Sequence, residues 1–412
     1  MAVFRPFRAF RPAKENQSLI PALPYDVMNS SEAREMVKGN PLSFLHVDKA
    51  EIDLPKGIDV YSPQVYQKAK ENLLALENSG ALVQDSAPCF YIYRQIMNGR
   101  AQTGLVGCAA IEDYINNIIK KHEKTLAKKE ADRINHVNTT DANTGPIFLT
   151  YRKNDEISKI IEDYTSANEP VYDFDADGVS QTVWVVDDVA VNSKLSRLFQ
   201  GVPSLYIADG HHRCASAVHV GRMRRMENPD FTGEEEFNFF LAVAFPDDEL
   251  EIMDYNRVVR NLNGLSRDKF FNLVSEKFDI KPVEGRAKPQ ERHTFGMYID
   301  ERWYLLTAKP EIVDETDPVK RLDVSVLQEN LLAPILGIYD PKKDDRIDFI
   351  GGIRGLGELE KRANSDMELA FAMYPTTVED LISIADAGEI MPPKSTWFEP
   401  KLLSGIFIHH LS

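Results

Sequence analysis

Five consecutive residues, Asp209-Gly210-His211-His212-Arg213, carry the densest chemical signal in the chain. An apolar run, Ser204-Leu205-Tyr206-Ile207-Ala208, reads as a strand that ends at Asp209. Gly210 permits a tight turn, and a helix is expected to begin directly behind it. Unsatisfied backbone N–H groups and the helix dipole favour an anion at such a helix start. Arg213 can grip phosphate oxygens with two parallel donors, so Gly210, His211, His212 and Arg213 form a candidate nucleotide or phosphate site. Asp209 at the strand end is a candidate catalytic carboxylate and a candidate Mg²⁺ ligand. Two neighbouring histidines alone do not specify a metal centre.

Two further groups could complete the chemistry. Lys121-His122-Glu123-Lys124-Thr125 falls in a charged stretch expected to be helical over 111–134, and a solvated helix face is the plain alternative reading. Pro393-Lys394-Ser395-Thr396 places a lysine beside two hydroxyls after a proline turn, a candidate anion clamp or simply a turn packed on the body. The glycine-rich Gly351–Gly357 lacks the lysine–serine pair of a phosphate loop and reads as a turn.

The elements that must position these residues alternate between strand-like and helical runs, which defines an α/β or mixed α+β protein. Asn98-Gly99 between two strand-like runs predicts a hairpin. Phe239 to Phe245 reads as a buried central strand. With 412 residues, two or three domains are expected. The boundaries fall at an N-terminal α/β region over 1–110, a phosphate-binding core over 111–250 with an insertion at 152–195, and a C-terminal α/β region over 251–412 that closes the cleft.

Composition narrows the function classes. A net charge of −16 gives no generic attraction to nucleic acid or anionic membrane. No apolar stretch is long enough for a transmembrane helix, and the N-terminus lacks a signal peptide's apolar run, so the cytoplasm is the default location. Cys89, Cys108 and Cys214 are odd in number and have no C-x-x-C spacing, so neither a disulfide framework nor a zinc site is indicated.

The Asp209–Arg213 segment resembles the phosphate box of the ParB-like/sulfiredoxin-like fold, and more specifically the D-G-H-H-R box of the free serine kinases of that fold. Over nearly its full length the chain also resembles domain-of-unknown-function family 1015. That resemblance is carried by Arg5-Pro6-Phe7, Pro24-Tyr25-Asp26-Val27, Asn40 to Val47, Ala208 to Arg213 and Met391 to Lys401. The kinase resemblance implies a ParB-like core and transfer of a phosphoryl group from ADP or ATP, with Mg²⁺, to a small hydroxylated metabolite, serine in those kinases. It implies Glu123 as general base, with His122, Lys394, Ser395 and Thr396 on the substrate side. Trp397 stands where those kinases carry an arginine. The other reading is a nucleotide-binding regulatory protein without turnover.

Overall fold

The computed structural model describes residues 1–412 and divides them into two compact units, Met1–Leu250 with Pro400–Ser412, and Glu251–Glu399. Both are α/β mixtures, as the alternation of patterns predicts.

The first unit is built on one sheet. Its strands are β1 Phe4–Arg5, β2 Phe90–Met97, β3 Arg100–Ala110, β4 Ile119–Lys120, β5 Ile147–Tyr151, β6 Tyr172–Ala176, β7 Val179–Val186, β8 Leu205–Asp209 and β9 Phe239–Pro246. They run β4-β8-β5-β9-β3-β2-β7-β6 across the sheet, and β1 pairs with β3. Every residue of β5 and β9 is buried, as expected of strands covered on both faces. Asn98 and Gly99 both adopt positive φ, which two-residue hairpin turns require, and they join β2 to β3 as the dipeptide predicts. Apolar side chains of β5, β8 and β9 meet those of the flanking helices in the main core, with Leu149, Ile207 and Phe240 among its members.

Three features of this unit differ from the sequence expectation. The sheet runs through residue 110, because β3 pairs with β9 along most of its length. The 152–195 segment is part of the same sheet and does not merely decorate it: β7 pairs with β2 through seven residue positions, and β6 extends the edge. Residues 400–412 return to this unit from beyond the second one, exchanging backbone hydrogen bonds with Phe10, Ala22 and Thr144 and pairing His409 with Asn143.

The helices of this unit are α1 Ile111–Ile115, α2 Ala127–Thr140, α3 Asp155–Ala167, α4 Val189–Gln200 and α5 His211–Glu227. The expected single helix over 111–134 is therefore interrupted. Asn117 turns the chain with φ of 58°, β4 adds to the sheet edge beside β8, and residues 121–126 form a loop before α2. A short helix, Leu45–Asp48, forms where Phe44, Leu45 and Val47 all pack into a local core.

The second unit holds β10 Tyr255–Val259, β11 Phe278–Val283, β12 Thr294–Ile299, β13 Arg302–Ala308, β14 Ile347–Gly351 and β15 Leu369–Ala372. They form an antiparallel sheet in the order β11-β13-β12-β15-β10-β14. Val258, Tyr298, Trp303, Ile350 and Leu359 supply its core. A helix over Asp323–Leu327 changes character after Leu327, where Gln328–Leu332 winds as a π-helical turn.

Phe240, fully buried in β9, anchors the first unit. Phe240→Ala should lower unfolding free energy by about 3–5 kcal/mol, through lost apolar burial and the cavity left behind. Urea denaturation checks this, and a loss below about 1 kcal/mol would show that β9 is not the packed centre of its sheet.

Candidate functional site

The site begins with a strand that slips out of register. β8 pairs with β5 through Ile207 and Leu149, and then the register shifts so that Asp209 faces Phe148. Such an irregularity re-aims the side chains that follow it. Gly210 then turns with φ of 91° and caps α5, and no side chain caps that helix end. A Cβ at Gly210 would lie 3.1 Å from the Arg213 guanidinium, so the turn requires glycine for its conformation and for this close approach.

The Asp209 carboxylate gathers cations. Arg213 Nη2 lies 3.5 Å and Lys401 Nζ 3.8 Å from Asp209 Oδ2. Arg213 Nη1 donates to the Pro146 carbonyl at 2.6 Å, which ties α5 to the segment entering β5. Burial pushes the Asp209 carboxyl up, but Lys401, Arg213 and the Gly210 N–H outweigh it and hold it down at about 2. Asp209 is therefore ionised throughout the physiological range.

The two histidines serve differently from the phosphate donors the sequence suggests. The backbone N–H of His122 donates to His211 Nε2 at 3.5 Å, and that of Leu126 donates to His212 Nε2 at 3.0 Å. Both rings use Nε2 as acceptor, which leaves the proton on Nδ1 when they are neutral. His211 and His212 thus hold the 121–126 loop at two points against the first turn of α5. His211 is buried; burial, with His122 beside it, pushes its pKa well below the ordinary histidine value, so it is an uncharged donor rather than a cation. Its Nδ1 lies 3.9 Å from Glu123 Oε2, and the Glu123 side chain remains 40% exposed.

His122 stands edge-on to His211 with ring centroids 4.5 Å apart. It is buried, and its Nδ1 has no hydrogen-bond partner. Burial lowers its pKa to about 4 despite the nearby Asp209 charge. Thr125 Oγ1 donates to Glu130 Oε2 at 2.7 Å and Ser216 Oγ to the Glu130 carbonyl at 3.2 Å, which secures the far end of the loop to α2 and α5.

The structure thus brings together His122, Glu123, Asp209, Gly210, His211, His212 and Arg213. Lys394, Ser395 and Thr396 belong to the second unit and are built into its own loop. There the Lys394 carbonyl accepts from Arg257, its ammonium lies over the Tyr255 ring at 5.4 Å, and Ser395 Oγ donates to the Pro392 carbonyl.

Next to Arg213 opens a small cleft, and its lining includes Tyr25, Asp48, Arg133, His136 and Thr144. Arg133 is paired with Asp132 at 2.7 Å and stacks over Tyr25 at 3.9 Å. Asp48 is buried; its one hydrogen bond comes from the Thr144 hydroxyl at 2.8 Å, and no ammonium or guanidinium pairs with it. Of these residues, the sequence marks Tyr25, in the Pro24–Val27 stretch, and Arg133, at helical spacing from His122, Thr125 and Lys129. Asp48, Thr144 and Lys401 come from three distant stretches, and no local spacing joins them.

No group of three or more histidine, cysteine, aspartate or glutamate side chains is arranged to hold a metal ion. Mg²⁺ commonly takes one or two carboxylates and relies on substrate phosphates for the rest, so Asp209 fits it only as one ligand beside a bound phosphate. All three cysteines are free and buried, and no helix is long and apolar enough to cross a membrane.

The family model described as "Protein of unknown function (DUF1015)" matches residues 4–325, and the chain belongs to that family. No curated protein matches it. Among solved structures it is similar to a free serine kinase in complex with AMP, at 12% identity and a TM-score of 0.37, covering 72% of this chain and 86% of that one. It is also similar to SbnI with a C-terminal truncation from Staphylococcus aureus, at 10% identity and a TM-score of 0.40, covering 73% and 85%. A conserved hypothetical protein from Pyrococcus furiosus gives 13%, 0.36, 76% and 97% for the same quantities.

The buried histidines make stability depend on pH. A histidine whose folded pKa lies below its unfolded value stabilises the fold fully above about 6.5, and this is lost as pH falls toward the folded value. For His122 the window runs from about 6.5 down to about 4. The loss should reach roughly 3 kcal/mol, at about 1.4 kcal/mol per pKa unit. His122→Gln should flatten that part of the stability–pH curve, and chemical denaturation between pH 7 and pH 4 reads it directly. An unchanged slope would show that His122 does not stay neutral in the folded state.

Proposed function

We propose that the first unit is a small-molecule kinase in which the α5 N-terminus binds the phosphates of ADP or ATP and Glu123 acts as general base. The observation that supports this best is the loop clamp: His211 and His212 pin the 121–126 loop, leaving the half-exposed Glu123 carboxylate beside an uncapped helix start. Gly210 brings the backbone close to an incoming phosphate, and the helix dipole favours its charge. Phosphoryl transfer asks mainly for positioning and charge neutralisation, which these groups can provide. Mg²⁺, when bound, would neutralise charge between phosphate oxygens, with Asp209 as its protein ligand.

The acceptor reading follows from the cleft. Asp48, a buried carboxylate bonded by the Thr144 hydroxyl, could receive an ammonium group, and Arg133 on the same wall suits a carboxylate. A small hydroxylated amino acid has both, and L-serine is the first candidate. Its hydroxyl would point past Arg213 toward Asp209 and Glu123, and Glu123 would accept its proton as the phosphoryl group arrives.

Glu123→Gln keeps the shape and removes the charged acceptor. Turnover of ADP or ATP with L-serine should fall by ~10²–10⁴-fold while nucleotide affinity stays within about twofold. Phosphoserine formation and nucleotide titration, measured on both proteins, check this. Wild-type protein that consumes no nucleotide with any small hydroxylated amino acid, yet binds ADP, would favour a nucleotide sensor without turnover.

A further inference from the structure

Lys401 and the buried amides around its backbone have no role in the reading above. We infer that Lys401 is a phosphate-contacting residue, and that Gln95, together with Gln102, Gln181 and Tyr93, positions it. The inference rests on the proposal that phosphates bind at the α5 N-terminus, and it adds the side chain that meets the terminal one.

The lysine is delivered to the site from outside its local sequence. The 400–412 segment lays it over the end of β8, where its ammonium reaches 3.8 Å from Asp209 Oδ2. Its side chain is only 11% exposed. His211 and His122 are neutral, so Lys401 and Arg213 are the cations at this strand end. Arg213 already spends one terminal nitrogen on the Pro146 carbonyl, which leaves the flexible ammonium better placed to follow a moving phosphoryl group.

The amides explain how the lysine is held. Gln95, Gln102, Gln181 and Tyr93 lie on β2, β3 and β7 and are at most 1% exposed. Tyr93 donates to Gln181 Oε1, and Gln95 Nε2 donates to the same oxygen at 3.1 Å. Gln102 Nε2 donates to Gln95 Oε1 at 2.9 Å. The chain ends on the main chain of the returning segment: Gln95 Nε2 donates to the Lys401 carbonyl at 3.0 Å and Gln102 Nε2 to the Pro400 carbonyl at 3.5 Å. Three amides inside a sheet are costly unless their hydrogen bonds are made, and here those bonds fix two successive peptide groups at the root of the lysine. Gln95 is thus a positioning residue, acting through Lys401.

The test uses the full chain and calorimetric titration with AMP, ADP and ATP. Lys401→Met should weaken ADP and ATP roughly 10–100-fold, the range of one charge-assisted contact, and leave AMP within about twofold. Gln95→Met should reduce the ADP-over-AMP preference in the same direction by at least threefold, whereas a merely structural role would lower Tm and leave that ratio alone. Lys153→Met, at an exposed pair with Asp248, is the control. If Lys401→Met does not fold, amine acylation of the wild-type protein read by mass spectrometry decides: ADP should slow modification of Lys401 and AMP should not. Wild-type binding with an unchanged ADP-to-AMP ratio in folded Lys401→Met, or equal acylation with either nucleotide, overturns the role of Lys401 alone. Wild-type protein that binds none of the three nucleotides overturns the phosphate reading itself.

Discussion

An ionised carboxylate at the end of a buried strand organises the first unit's chemistry. Asp209 sits where β8 loses register and the chain must turn, and burial alone would raise its pKa. Cations brought from α5 and from residue 401 keep it charged, and so does the Gly210 N–H. The same arrangement fixes the orientation of Arg213 and hence the junction between α5 and the start of β5. Losing the carboxylate would leave two buried cations without their shared partner, which is costlier than never having placed them there.

Around that charge the structure spends neutral groups on geometry. His211 and His212 hold a loop, and the loop carries the carboxylate that lies near the helix start. A histidine can do this because one ring nitrogen accepts a backbone N–H while the other donates elsewhere. A neutral His211 also leaves the positive potential at the strand end to the helix start, Arg213 and Lys401.

Much of this was legible in the sequence, and the reasons for success and failure are local and non-local respectively. The strand, the glycine turn and the helix start at 205–213 are a contiguous pattern, and so are the Asn98-Gly99 hairpin and the buried run at 239–246. The 111–134 stretch was misread as one helix because its charged residues suit a helix face, while the strand Ile119–Lys120 is stabilised by pairing with β8, a partner distant in sequence. Asp48, Arg133 and Lys401 could not be grouped at all, since only the tertiary fold makes them neighbours of Arg213 or Asp209. Lys401 closes the Met391 to Lys401 stretch that carries the family resemblance, but nothing in that stretch shows that it lies beside Asp209.

The first unit is discontinuous, and this has a consequence for synthesis on the ribosome. Residues 1–250 emerge first, but the strand pair at His409, the Gln95 contact and the lysine at Asp209 all await a segment encoded after the whole of 251–399. The second unit is contiguous, so its sheet can close while the first still lacks those pieces. Until then Gln95 and Gln102 have no carbonyls of residues 400 and 401 to bond, and the emerging chain holds an incomplete sheet with thirsty amides in its interior. Such an intermediate invites chaperone attention, and a fragment cut at residue 250 would carry that defect permanently.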